Sequence, residues 1–235
     1  MTGPRPAPGG HRLKVGVLGA GKIGGNLARL LAIAGHDVLL SFSRDAAALQ
    51  RRADSIGVSA GSPAEAVRHG EVVVLSVPWA AVDEAIVQAG HPDAFAGRVV
   101  VDTTNNFGRI DGGFGVLDLG GISAARHNAD KAPDASWVKA FNTLTAGFQA
   151  AAAGRTGPDR AVLFYATEHD DAVPVVEQII ADAGFDAVST GTLGRNDVGH
   201  QEPKGDLYGE EFHLQDARAA VARLRGTPPS GTGRP

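Results

Sequence analysis

Leu13-Lys14-Val15-Gly16-Val17-Leu18-Gly19-Ala20-Gly21-Lys22-Ile23-Gly24 begins as a short apolar run and ends in a turn with glycines at the G-x-G-x-x-G spacing. That spacing alone is a weak signal, but its surroundings strengthen it. Ile23, Leu27, Leu30, Leu31 and Ala34 fall on one helical face, and Gly35 stands where a C-cap glycine belongs. A second strand then runs to Ser41-Phe42-Ser43-Arg44. Strand, turn, helix and strand in this order form the setting of a dinucleotide-binding fingerprint. Gly19 permits the tight turn, Gly21 lets the backbone approach a pyrophosphate, and Gly24 lets the helix lie close to the strand. The helix N-terminus offers unpaired N–H groups and a partial positive charge to the phosphates. The plain alternative is a glycine-rich turn that serves packing only.

The end of the second strand chooses between the two nicotinamide dinucleotides. An NAD-preferring site places a carboxylate there to accept from the ribose 2′-hydroxyl. Residues 41–44 carry none; they carry Ser41, Ser43 and Arg44. A guanidinium binds a 2′-phosphate bidentately and lies flat against adenine, where a carboxylate would repel it. Both serines add hydroxyl donors, Ser43 more directly through its place beside Arg44. Asp45 is expected to cap a helix over 46–52 rather than touch the ribose. NADP is therefore the expected cofactor.

Composition bounds the rest. The 235 residues suffice for a sizeable core, in one large domain or a domain plus a small lobe. The net charge of −4 and the lack of a Lys/Arg block point away from nucleic acid and anionic membranes. There is no cysteine, which excludes thiolate chemistry and disulfides and suits a reducing cytoplasm. The longest apolar stretch, residues 72–82, is broken by Ser76 and Pro78 and is too short to span a bilayer. Residues 1–10 and 226–235, rich in Pro and Gly, are expected to be disordered tails.

Along the chain, strands are expected near Val58 and over 71–77, 98–101, 136–141, 160–167 and 185–189. Helices are expected over 79–90, 122–131 and 145–153, from near Asp171 to Gly184, and over 215–224. A further short helix opens on Ser62-Pro63-Ala64-Glu65, which reads as N-cap, N1 proline and capping-box acid. Residues 107–121 read as a glycine-rich loop and 194–211 as irregular. The alternation predicts an α/β fold of Rossmann type, a doubly wound, mostly parallel sheet with a small C-terminal extension. The expected division is a dinucleotide-binding domain over 11–142 and an extension and lid over 143–225.

Ligands in such sheets sit beyond the carboxyl ends of the strands. Three ends carry suggestive residues: Ser76-Val77-Pro78-Trp79, Asp102-Thr103-Thr104-Asn105-Asn106, and Asn142-Thr143. Pro78 and Trp79 can wall a nicotinamide, or can simply end a strand and start a helix. Thr103, Asn105, Asn142 and Thr143 supply neutral donors and acceptors, a role shared with turns and caps. No Tyr-x-x-x-Lys pair stands out, and the eight histidines do not fall at metal-ligand spacings, so no metal is expected. His36, His91, His127, His200 and His213 read as surface or capping residues, and Lys139 as a structural or sheet-edge charge. Hydride transfer between two stacked heterocycles suits this inventory, because positioning does most of the work.

Gly19 to Gly24, Ala34-Gly35-His36, Ser43-Arg44, residues 74–79 and 102–106, and Val138-Lys139-Ala140-Phe141-Asn142-Thr143 occur in an order that resembles the NADPH-dependent F-420 reductases. The resemblance runs from about residue 13 to 193. It implies hydride transfer between NADPH and a 5-deazaflavin. By position, Ala20, Lys22, Ile23, Ser43 and Arg44 would bind NADP, Pro78 would lie near the nicotinamide, and Asn142 and Thr143 would border the deazaflavin. Where reductases of this kind continue with a Leu-rich helix, this chain has the polar segment 194–211, so the second pocket and any homodimer contact are expected to differ. Two other functions stay open: an NADPH-dependent reductase of a small carbonyl or imine, with Tyr208, His127 or Lys139 giving the proton, and a non-catalytic NADP-binding sensor. The partners expected are small molecules.

Overall fold

The computed structural model describes residues 11–41 and 45–231. Strand β1 (Lys14–Leu18) leads into helix α1 (Lys22–Ile33), then β2 (Asp37–Ser41), α2 (Ala46–Ile56), β3 (Ser59–Ala60), α3 (Pro63–His69), β4 (Val72–Leu75), α4 (Val82–Gln88) and β5 (Val99–Asp102). The strands β6 (Phe107–Ile110) and β7 (Gly113–Val116) precede α5 (Ala124–Ala129), β8 (Ser136–Ala140), α6 (Ala146–Ala152), β9 (Val162–Thr167), α7 (Val173–Asp182), β10 (Asp186–Gly191) and α8 (Leu214–Leu224). One sheet runs in the order β10-β9-β8-β5-β4-β1-β2-β3. Every neighbouring pair in it is parallel except β8 with β9. This is the doubly wound α/β architecture of the Rossmann type.

Local chemistry explains the boundaries. Helix α1 closes on a Schellman turn: His36 N bonds Leu31 O at 3.0 Å and Gly35 N bonds Ala32 O at 3.0 Å, with Gly35 at φ +96°. Asp45 caps α2 by accepting from Ala48 N at 3.0 Å. Ser62 and Glu65 form a reciprocal capping box on α3, with Pro63 at N1. Hydrogen bonds from the Ser62 backbone and hydroxyl hold the Glu65 carboxyl below its usual range.

Strand alternation sorts the core onto two faces. Val15, Val17, Val72, Val74, Val101 and Val138 face α1, α6 and α7. Leu18, Val73, Leu75, Val100 and Trp137 face α3, α4 and α5. Gly16 is obligatory because a Cβ there would sit 2.0 Å from the Ala66 carbonyl oxygen of α3. Helix α8 covers the outer strands through Ala217, Ala220 and Val221 against Val162, Phe164 and Val188.

Several expectations need correction. Residues 107–121 contain a two-stranded hairpin, Phe107 pairing with Val116 and Ile110 with Gly113, with Asp111-Gly112 as its two-residue turn. The helix expected over 79–90 starts as a 3₁₀ turn, Trp79–Ala81, before α4. His36 and His200 are buried rather than at the surface. His36 accepts from Leu13 N through Nδ1 and meets Asp182 at 3.0 Å, while His200 meets Asp206 at 2.7 Å and the Thr227 carbonyl at 2.9 Å. Residues 226–231, expected as part of a disordered tail, fold back so that Ser230 N donates to Asp206 at 3.1 Å.

Candidate cofactor and active site

The strand order reverses between β1 and β4, where β1–β3 lie to one side and β4, β5 and β8 to the other. Gly19 sits at this switch point with φ +123°, and its N–H donates to Ser41 O at 3.0 Å. A Cβ on Gly19 would meet Ser76 O at 2.1 Å, so the ends of β1, β2 and β4 converge on one glycine. A Cβ on Gly24 would lie 2.1 Å from Gly19 O, which fits the expected close approach of helix to strand. Gly21 differs: a Cβ there would meet nothing within 4 Å. Gly21 is the N-cap of α1, with no side-chain cap and no acidic residue in the first turn. Open space before uncapped helical N–H groups is what a pyrophosphate fills, so these residues fit the dinucleotide. Lys22 is exposed beside this turn, Ile23 is half-buried, and Ala20 packs on the core.

Arg52 was not anticipated from the sequence. Its guanidinium, arriving from α2, donates to Gly21 O at 3.3 Å and covers Gly25. The available signal was weak: one Arg on a helix face, well beyond the end of β2. Ser41, expected to face the cofactor, turns inward instead. It is fully buried and its Oγ donates to Val17 O at 2.9 Å, which uses its only proton. Ser43 and Arg44 lie outside the described residues.

At the end of β4, Ser76 backs the Gly19–Gly24 turn, Val77 is buried among core side chains, and Pro78 is exposed. Trp79 packs against the ring of His127, centroids 5.3 Å apart. The ends of β5 and β8 are held by a buried polar network. Lys139 Nζ lies 3.0 Å from Asp102 Oδ2 and also donates to Thr104 O, with Lys139 0% and Asp102 1% exposed. Asp102 Oδ1 accepts from Thr104 N at 2.8 Å, and Oδ2 also accepts from Asn128 Nδ2 at 3.0 Å. Nearby, Glu202 accepts from Ala124 N and Ala125 N at the start of α5. Burial pushes its carboxyl above the ordinary value, opposed by Lys139 and those two amides.

Beyond these ends lies a cavity of about 360 Å³. Ile23 of the fingerprint helix borders it on one side; Thr103 and Asn105 after β5, and Phe141, Asn142 and Thr143 after β8, border it on the other. Phe141 holds the left-handed φ of +59°, a strained turn for a side-chain-bearing residue at a strand's carboxyl end. Asn105 Nδ2 donates to Asn142 O at 3.0 Å, and Asn142 Nδ2 donates to Asn105 Oδ1 at 3.2 Å and to Gln201 O at 2.7 Å. Leu144, Thr145 and Ala146 extend the wall, and Tyr208 and Gly209 close it, fastened by Gly209 N to Thr143 O at 3.0 Å. Thr103 donates its hydroxyl to Leu75 O at 3.3 Å.

Residues 14–106 match the family model described as NADP oxidoreductase coenzyme F420-dependent. The crystal structure of the hypothetical protein SMa0349 of Sinorhizobium meliloti is 30% identical, with a TM-score of 0.73 over 86% of this chain and 96% of that one. The chain belongs to the F-420-dependent NADP oxidoreductase family. A candidate F-420-dependent NADP reductase from Arthrobacter sp. FB24 shares the fold at 24% identity and a TM-score of 0.68, over 77% of this chain and 86% of that one. So does an imine reductase of Aspergillus terreus, at 19% identity and 0.60, over 82% of this chain and 60% of that one. A search of curated proteins gives no match. The chain is thus an NADP-dependent oxidoreductase with its fingerprint in β1, α1 and β2. No helix among the described residues is long and apolar enough to cross a membrane, and none of their His, Asp and Glu groups is arranged to hold a metal ion.

Proposed function

We propose that this oxidoreductase passes hydride between NADPH and a deazaflavin acceptor of the coenzyme F-420 type. The carrying observation is the wall of the 360 Å³ cavity, which offers amides, hydroxyls and apolar surface but no carboxylate, imidazole, amine or guanidinium. Such a wall positions a flat heterocycle against the nicotinamide, and the cofactor supplies hydride when bound. The turn from Gly19 to Gly24 holds the pyrophosphate, Ser43 and Arg44 the 2′-phosphate, and Arg52 adds a cation beside Gly21. Ser76 and Pro78 lie along the path to the nicotinamide, Thr103 and Asn105 border it, and Asn142 and Thr143 face the acceptor. A cytoplasmic location agrees with the lack of cysteine.

The test is to mix the protein with NADPH and oxidised F-420 and follow the deazaflavin absorbance. Bleaching that requires both NADPH and enzyme is expected. A protein that binds NADPH yet leaves the absorbance unchanged at high enzyme concentration would refute the acceptor assignment.

A further inference from the structure

We infer that Tyr208 is the acid of the reaction, giving its phenolic proton to the acceptor atom that gains an electron pair when hydride arrives. The inference rests on the oxidoreductase site described above and holds for a deazaflavin, an imine or a carbonyl alike. Lys139, His127 and Tyr208 are the proton donors that the sequence offers near the strand ends. Lys139 is sealed from solvent and committed to Asp102 and Thr104. His127 lies on α5 against Trp79 and is absent from the cavity wall. Tyr208 is on that wall.

Its hydroxyl is already oriented. Asn105 Nδ2 donates to the phenol oxygen at 3.3 Å, which fills an acceptor position and leaves the O–H without an acceptor among the described residues. The amide exchange between Asn105 and Asn142 fixes Asn105, and the Gly209–Thr143 bond fixes the backbone beside the ring. Burial raises the phenol above its ordinary value of 10.0, so it keeps its proton through neutral and moderately alkaline pH. No other lining side chain titrates. The step balances: NADPH is oxidised by loss of hydride, and a C–H bond forms at the electrophilic carbon of the acceptor's C=N, conjugated C=N or C=O. The pair moves to the heteroatom, the Tyr208 O–H breaks and the new N–H or O–H forms. The half-buried phenolate then takes a proton from water.

The experiment compares the full chain with Tyr208→Phe, using oxidised F-420 and a five-membered cyclic imine as two separate probes. In single turnover, Tyr208→Phe should slow hydride transfer about 100-fold or more while NADPH affinity, read by cofactor fluorescence, is unchanged. The rate in the parent chain should fall only above pH 10.0, as the phenol ionises, and that limb should vanish in the variant. A Tyr208→Phe variant with the parent's rate and pH profile overturns the inference. Reduction of the imine but not F-420 overturns the proposed acceptor and leaves Tyr208 to be judged on the imine. If neither probe turns over, 3-fluorotyrosine placed at the two tyrosines decides by ¹⁹F resonance. NADPH followed by oxidised F-420 or imine should shift the Tyr208 signal and leave that of Tyr165, bonded to Glu177 at 2.7 Å, in place. A stationary Tyr208 signal overturns the inference.

Discussion

Replacing Gly21 by Ala separates folding from cofactor binding, because the structure gives its Cβ nothing to strike within 4 Å. The backbone of Gly21, φ −71° and ψ −166°, is open to any L-residue. Ala is a poorer N-cap than Gly by roughly 1 kcal/mol, while a less flexible unfolded chain returns about 0.4–1 kcal/mol, so stability should hardly move. The added methyl enters the space where pyrophosphate oxygens meet the first N–H groups of α1. Losing one or two hydrogen bonds to a charged group, at about 1.5–3 kcal/mol each, predicts NADPH affinity lower by roughly 10- to 10⁴-fold. Gly24→Ala is the contrast. Its Cβ falls 2.1 Å from Gly19 O, a backbone atom, so α1 must move off the sheet and the melting temperature must drop. Calorimetric titration with NADPH, beside thermal unfolding followed by circular dichroism, reads both quantities. A Gly21→Ala protein that binds NADPH like the parent, or loses as much thermal stability as Gly24→Ala, would refute the cradle.

Arg44→Ala should weaken NADPH by roughly 1.5–3 kcal/mol and leave NADH almost untouched, since only the 2′-phosphate contact is lost; equal weakening of both would make Arg44 structural. Arg52→Ala, beside the pyrophosphate turn, should weaken NADPH and NADH alike by about tenfold in the same titration. Lys139→Met leaves Asp102 buried without its cation and should cost about 3–5 kcal/mol in urea unfolding, whereas replacing both partners by apolar residues should cost much less. Burial raises the Glu202 carboxyl, so the folded state binds its proton more tightly than the unfolded chain, and stability falls as pH rises from 4.5 through the raised value. Glu202→Gln should flatten that part of the pH–stability curve relative to the parent, and an unchanged slope in urea titrations would count against the burial argument.

The local geometry of the fingerprint turn and of the helix caps was legible in the sequence. Gly19, Gly21 and Gly24 have local reasons for their identity, and the caps at Asp45, Ser62 and Gly35 lie within a few residues of the groups they satisfy. What failed depended on long-range neighbours. Ser41 resembles any hydroxyl at a strand end until β1 supplies Val17 O, 24 positions away, as its acceptor. Lys139, an edge or a structural charge by sequence alone, proves structural because β5 places Asp102 opposite it in register. Arg52 reaches the fingerprint only because α2 packs on α1. The hairpin was missed for another reason: its glycines masked the strand alternation, although Asp111-Gly112 is a strong turn signal.

These long-range pairings also divide the polar residues at the strand ends by task. Ser41, Thr103, Thr104, Asn128 and Lys139 spend their donors inward, on backbone carbonyls or on Asp102, and thereby fix where β1, β4, β5 and β8 end. With those ends fixed, Asn105 and Asn142 exchange amide bonds across the gap between β5 and β8, and Gln201 and Tyr208 dock on them. A buried ion pair such as Lys139–Asp102 adds little net stability beside well-packed apolar residues, because desolvation offsets its attraction. Its geometry serves the site differently. Any slip of β8 against β5 would separate Lys139 from Asp102 in a dry interior, so the pair holds register where Asn105 and Asn142 must meet. The polar segment over 194–211 therefore has a rigid floor to close upon, and its tyrosine reaches the cavity without a helix to carry it.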